Sequence, residues 1–246
     1  MLRASFDLVS PEATHALAQG LASVLKSGDV IALTGDLGAG KTTFVRGVVQ
    51  AMGGDQSLVA SPTFVFVHVY PIGRDTKRGS GATGRAKTNS TNTSSGDTAI
   101  CRVSHIDAYR LTSAEDLEPL GWDRLFDEHA QAAVGSVAFV EWPQRIAAHL
   151  PRESERADIV IEHLREGVRR FNLSLPDSWS GRTGVDLLLS RPPSVCPKTR
   201  QWVSPTNPSY PFLDERSRGG DLYGWLTESY KVSRAAKDDD ADNSGE

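Results

Sequence analysis

From Pro11 to Lys26 apolar side chains recur at three- and four-residue steps (Ala13, Leu17, Leu21, Val24, Leu25), with Ser10 placed to cap and Pro11 at the first helical position. That spacing predicts an amphipathic helix. Asp29 to Thr34 is a short, mostly apolar run, followed by a glycine-rich turn and by helical spacing at Phe44, Val45, Val48, Val49 and Met52 within Lys41 to Met52. The order is strand, glycine loop, helix. Phe64 to Tyr70 alternates aromatic and β-branched residues as a strand, Cys101 to Ile106 reads as another, and Val137 to Val140 suits a buried parallel strand. Leu117, Leu120, Leu125 and Phe126, interrupted by Pro119 and Gly121, predict short helices between Glu115 and Glu128. Ile159 to Ile161 and Phe171 to Leu175 flank an Arg165-Glu166-Gly167 turn and predict a closing β-hairpin. The expected fold is α/β: a mixed central sheet flanked by helices in a single domain, residues 1–175.

Two stretches break this pattern. Within Gly79 to Gly96, 14 of the 18 residues are Gly, Ser, Thr or Asn, too polar to offset their own ordering entropy, so residues 71–99 are expected to be a disordered insert between two strands. Beyond Leu175 the chain is proline-rich and closes on an acidic run from Lys237 to Glu246. Residues 176–246 are therefore expected to be a disordered extension. Leu222 to Leu226 is a small apolar stretch within it that reads equally as a tail anchor or as a partner motif.

Charge narrows the function classes. The 246 residues carry 27 Lys and Arg against 31 Asp and Glu, a net charge of -4, which is neither a strongly basic nucleic-acid binder nor a polyanion. Cys101 and Cys196 stand too far apart for a C-x-x-C metal or redox site and are too few for a disulfide framework, which fits a reducing cytoplasm. Apolar runs such as Val30 to Leu33 fall far short of the ~20 residues that a membrane span needs. Met1 to Ser10, with Arg3 and Asp7, has no apolar core of a signal peptide, so a cytoplasmic chain with no membrane association is expected.

The chemistry is concentrated in Gly35-Asp36-Leu37-Gly38-Ala39-Gly40-Lys41-Thr42, a full G-x-x-x-x-G-K-T between a strand and a helix. Its glycines let the backbone wind around phosphates, with N–H groups and a helix N-terminus aimed at negative charge. In that arrangement Lys41 bridges the β- and γ-phosphates, Thr42 offers a hydroxyl to Mg²⁺, and Thr43 meets the α-phosphate. The fold class is thus a P-loop NTPase domain. No Asn-Lys-x-Asp occurs to read guanine and no Leu-Ser-Gly-Gly-Gln of transport ATPases, so both of those classes recede. Glu141, ending the Val137 to Val140 run, is the candidate acid beside the metal, or a solvated strand-end carboxylate. Asp107, in His105-Ile106-Asp107-Ala108-Tyr109-Arg110-Leu111, could orient a water or cap the following segment. Period-two spacing projects His105, Asp107 and Tyr109 to one side as a polar row beside the phosphate site, whereas His105 taken by itself reads as a structural histidine. Ser61 and Thr63 surround Pro62 as a turn or as a switch that senses the γ-phosphate.

Together these blocks resemble the TsaE family (formerly YjeE), the small ATPase of bacterial tRNA threonylcarbamoyladenosine synthesis. The similarity rests on Gly35 to Phe44, Ser61-Pro62-Thr63-Phe64, His105 to Leu111, Glu115 to Gly121, and Val140-Glu141-Trp142-Pro143, in that order. It spans about Ser10 to Leu175; the insert and the extension depart from it. The resemblance implies an enzyme that binds ATP and Mg²⁺ and hydrolyses ATP slowly. Lys41 and Thr42 would hold phosphate and metal, Glu141 would contact Mg²⁺, Asp107 would assist hydrolysis, and Trp142 would lie near the nucleotide. It further implies that TsaD and TsaB carry out threonylcarbamoyl transfer to adenosine 37, with tRNA reached indirectly through the complex. An acidic chain suits that division of labour, since partners can supply the positive surface.

Two other readings share the loop. A small-molecule kinase would need an acceptor pocket and an arginine-bearing lid, and the basic residues between the loop and Glu141 cluster in the polar insert. An ATP-switched binding module would use the nucleotide only to set conformation.

Overall fold

The computed structural model describes residues 1–62, 66–73, 99–111 and 135–232. Thr63, the start of the strand expected from Phe64, most of the polar insert, the short helices expected at 115–128 and the acidic tail lie outside the described residues.

The chain opens with a strand that the helical reading passed over, β1 (Leu2–Leu8), in which Arg3, Ser5 and Asp7 are the exposed alternates. Helix α1 (Pro11–Ala22) follows; the Ser10 hydroxyl accepts from the Ala13 N–H at 3.1 Å, and Pro11 stands where no N–H is needed. Strand β2 (Val30–Gly35), helix α2 (Lys41–Ala51) and strands β3 (Val67–Pro71), β4 (Arg102–Asp107), β5 (Ser136–Glu141), β6 (Ala157–Arg165) and β7 (Val168–Leu175) complete the main body. They form a mixed sheet in the order β1-β7-β6-β2-β5-β4-β3. Strands β4, β5, β2 and β6 run parallel, and the antiparallel edges are the β6–β7 hairpin with β1 on one side and β3 on the other.

Strand alternation divides the core between the two faces of the sheet. Val137 and Phe139 of β5 pack with Ile31, Leu33, Phe44 and Phe171 beneath α1 and α2, whereas Ala138 and Val140 pack with Ile106 and Ile146 on the opposite face. Phe44 and Phe171 meet with ring centroids 5.6 Å apart, tying α2 to the hairpin. Because four parallel strands end along one edge, their C-terminal residues gather where ligands of open α/β sheets bind.

The domain boundary expected at 175 is not where packing stops. A 3₁₀ turn (Asp177–Trp179), helix α3 (Val185–Ser190), and strands β8 (Ser194–Val195) and β9 (Trp202–Val203) continue the fold, and Trp179, Val185 and Leu188 are sealed in the same core as α1. Arg182 locks this segment by a two-pronged bond to Asp29 and lies 4.0 Å over the Trp179 ring. Proline-rich composition argued against an independent core, but these residues join one already built. Helix α4 (Glu215–Val232) ends the described chain. Among the described residues no helix is long and apolar enough to cross a membrane.

Candidate nucleotide site

The loop from Gly35 to Gly40 leaves β2 and turns into α2 under tight backbone constraints. A Cβ at Gly35 would stand 2.6 Å from the Ile161 carbonyl oxygen of β6, and Gly40 caps α2 at φ 109°, a left-handed conformation that glycine adopts without strain. Leu37, 89% exposed, stands at the loop's tip, while Ala39 is buried beneath it. Lys41 is only 5% exposed, and its ammonium donates to the carbonyls of Gly35 at 2.8 Å and Asp36 at 3.0 Å. Burial draws its pKa below the usual lysine range, against the pull of Glu141, Asp107 and Asp36.

Register and alternation bring the acidic residues to this loop. Asp107 of β4 pairs with Glu141 of β5, which in turn pairs with Leu33 of β2. Glu141 follows Phe139 by two residues, so its carboxylate lies on the α2 side. There Oε1 accepts from the Thr42 hydroxyl at 2.8 Å and meets His105 Nε2 at 2.8 Å. Asp107 accepts from Ser61 Oγ at 3.1 Å through one oxygen and from the Tyr109 N–H at 2.9 Å through the other. It therefore combines the turn-capping part foreseen for it with a place at the site.

Trp142 continues directly from Glu141. Its φ of 59° and ψ of 47° are a strained conformation for a bulky residue, adopted where β5 gives way to Pro143 and a 3₁₀ turn. The ring stands 4.4 Å from Lys41 Nζ and 5.1 Å from Tyr109. Residues 37, 38 and 40–43 of the loop and helix converge with Ser61, Asp107, Tyr109, Glu141 and Trp142 on a cleft of about 270 Å³, with Thr43 on its wall. Thr63 is the one expected site residue outside the described chain.

A model of one family, "Threonylcarbamoyl adenosine biosynthesis protein TsaE", matches residues 8–78 and 89–171. The chain belongs to the TsaE family. The tRNA threonylcarbamoyladenosine biosynthesis protein TsaE of Bacillus subtilis is 32% identical over 174 residues, 71% of this chain and 87% of that protein. Its namesake in Streptomyces coelicolor is 32% identical over 168 residues, 67% of this chain and 92% of that one. In Rickettsia felis the namesake is 31% identical over 185 residues, covering 75% and 86%. A crystal structure of YdiB from Bacillus subtilis superposes with a TM-score of 0.47 at 27% identity, covering 72% of this chain and 87% of that one.

Within this TsaE-family site, the fit of a nucleotide and a metal can be judged from the donors present. A hydroxyl and a carboxylate, both oxygen donors, suit Mg²⁺, and among the described residues no cluster of three or more His, Cys, Asp or Glu forms an all-protein cage. Mg²⁺ prefers such sparse sites, completed by phosphates and water. Two contacts with the site's residues cross between distant parts of the chain. His105, expected on one strand face with Asp107 but weighed as structural, touches Glu141, a pairing that its own strand does not reveal. Arg169 lies against Gly40, with Cδ 3.6 Å and Nε 3.7 Å from where a Cβ would stand, a contact between residues far apart in the chain that no local pattern marks.

Proposed function

We propose that this chain is a Mg²⁺-dependent ATPase that serves formation of the threonylcarbamoyl group on adenosine 37 of tRNA, working in the cytoplasm with TsaD and TsaB. The observation that carries the reading is the 2.8 Å bond between Thr42 and Glu141 at the mouth of a complete P-loop, in a chain of the TsaE family.

In this reading Lys41 exchanges the Gly35 and Asp36 carbonyls for β- and γ-phosphate oxygens. Thr42 and Glu141 would hold Mg²⁺, which when bound neutralises charge on those same oxygens. Asp107, steadied by Ser61 and the Tyr109 N–H, orients a water towards the γ-phosphorus. The water oxygen bonds to phosphorus as the bond to the β–γ bridging oxygen breaks, giving ADP and phosphate. Trp142 and Tyr109 form an aromatic wall that limits access of bulk water. A net charge of -4 leaves the grip on tRNA to the partners.

The test is ADP release from ATP by the purified chain, alone and with TsaD, TsaB and tRNA, with Lys41→Ala as control. Slow turnover that changes with the partners and vanishes in the variant supports the proposal. Partner-independent phosphorylation of an added metabolite would establish a kinase instead.

A further inference from the structure

Strand β2, which feeds the P-loop, runs between two parallel neighbours that flank the loop differently. Strand β5 delivers Glu141, with Asp107 beyond it on β4, so the metal and the terminal phosphate belong on that side. A triphosphate laid along the loop then directs its α-phosphate towards β6, on the other side. There the β6–β7 hairpin meets the loop at three glycines: the Ile161 carbonyl beside Gly35, His163 Nε2 3.4 Å from the Gly38 carbonyl, and the Arg169 stem against Gly40.

Arg169 is unusual for its position. The alternation of β7 places it on the same face as Phe171, which packs on α2, and its Nε is buried without a hydrogen-bond partner. Its neighbour Arg170, on the opposite face, is satisfied by a two-pronged bond to Asp7 at 2.7 and 2.9 Å. A cation beside the N-terminus of α2 also opposes the helix dipole, and no acidic residue stands in that first turn to compensate. A buried donor without a partner and a misplaced cation are both resolved by an anion bound on the loop within reach of the Arg169 guanidinium.

We propose that Arg169 binds the α-phosphate of the nucleotide, making the β6–β7 hairpin the nucleoside side of the site opposite Glu141. This inference rests on the nucleotide reading of the P-loop.

Binding of ATP and ADP to the full chain, measured by titration calorimetry for the parent, Arg169→Ala, Arg169→Lys, Arg170→Ala and Lys41→Ala, tests it. Arg169→Ala should weaken both nucleotides by the same factor, on the order of tenfold, the size of one charge-assisted hydrogen bond. Arg169→Lys should recover part of that loss, and Arg170→Ala should bind like the parent. If Arg169→Ala does not fold by circular dichroism, the Arg169→Lys comparison decides alone: unchanged affinity overturns the assignment. A loss confined to ATP would place Arg169 at the γ-phosphate, and affinity within about twofold of the parent would remove it from the site; either overturns the proposal. Failure of the parent to bind either nucleotide would overturn the P-loop reading itself, whereas normal parent binding lost in Lys41→Ala but kept in Arg169→Ala would overturn this inference alone.

Discussion

His105 holds Glu141 from the neighbouring strand, its Nε2 2.8 Å from Oε1, with both residues sealed from solvent at 0% and 3% exposure. The same oxygen accepts from the Thr42 hydroxyl, so one carboxylate oxygen ties β4, β5 and α2 together. His105 thus acts as a positioning residue that fixes the direction of the carboxylate.

Replacing His105 by Gln keeps a donor of similar reach, and replacing it by Ala removes the donor. His105→Ala is expected to lose Mg²⁺-dependent turnover by about 10- to 100-fold, the usual effect of removing a partner behind a metal-binding group. Nucleotide affinity measured in EDTA should stay within about twofold of the parent, and His105→Gln should recover part of the Mg²⁺ response. If affinity falls as much without metal as with it, His105 supports the fold rather than Glu141.

Lys41 and Glu141 line the same cleft but should fail differently. Lys41→Ala should weaken ATP binding by at least tenfold, since it removes the buried ammonium that the proposal assigns to the phosphates. Glu141→Ala should leave part of that binding while abolishing Mg²⁺-dependent turnover. Titration calorimetry beside an ADP-release assay separates the two effects, and equal binding losses in both variants would undo the division of roles.

How much of this was legible in the sequence follows from the range of each contact. The Gly35 to Thr42 loop and its flanking elements are local, and glycine spacing together with 3.6-residue periodicity was enough to place them. Glu141 was legible as the acid that closes the apolar run Val137 to Val140, and Asp107 as the acid that ends the mixed strand β4. Partners across the sheet were not legible: spacing put His105 on the face of Asp107 but could not pair it with Glu141, 36 residues away, and Arg169 reaches Gly40 from the far hairpin. Strand β1 was overlooked because its Leu2, Ala4, Phe6 and Leu8 alternate with the polar Arg3, Ser5 and Asp7 only over a short stretch. For the segment after Leu175, composition measures what a segment can bury by itself and says nothing of a neighbour's core.

Cys196 offers a pH-dependent test of that later segment. Burial pushes its thiol up, but hydrogen bonds from Thr199 and from the backbone of Leu213 and Lys198 outweigh it and bring the pKa down to about 7. A folded pKa below the unfolded one means that the contribution to stability is complete above the unfolded pKa and is lost as pH falls through about 7. The melting temperature of the parent should therefore rise between about pH 7 and pH 9 relative to Cys196→Ala. Parallel pH profiles for the two proteins would show that the thiol is not titrating there.

Trp179 decides whether residues beyond 175 belong to the domain. It is 2% exposed, packed with Val185 and Leu188 against the core of α1, and covered by Arg182, which is itself anchored on Asp29 just before β2. Trp179→Ala should cost about 3–5 kcal/mol by removing a large buried ring. Arg182→Ala should cost less than that but leave Asp29, 9% exposed, without its guanidinium. Because Asp29 leads into the strand that carries the P-loop, both variants should unfold at lower urea while nucleotide affinity at low denaturant stays near that of the parent. If Trp179→Ala unfolds with the parent's midpoint, the segment after Leu175 is an ornament on the TsaE fold rather than part of its core.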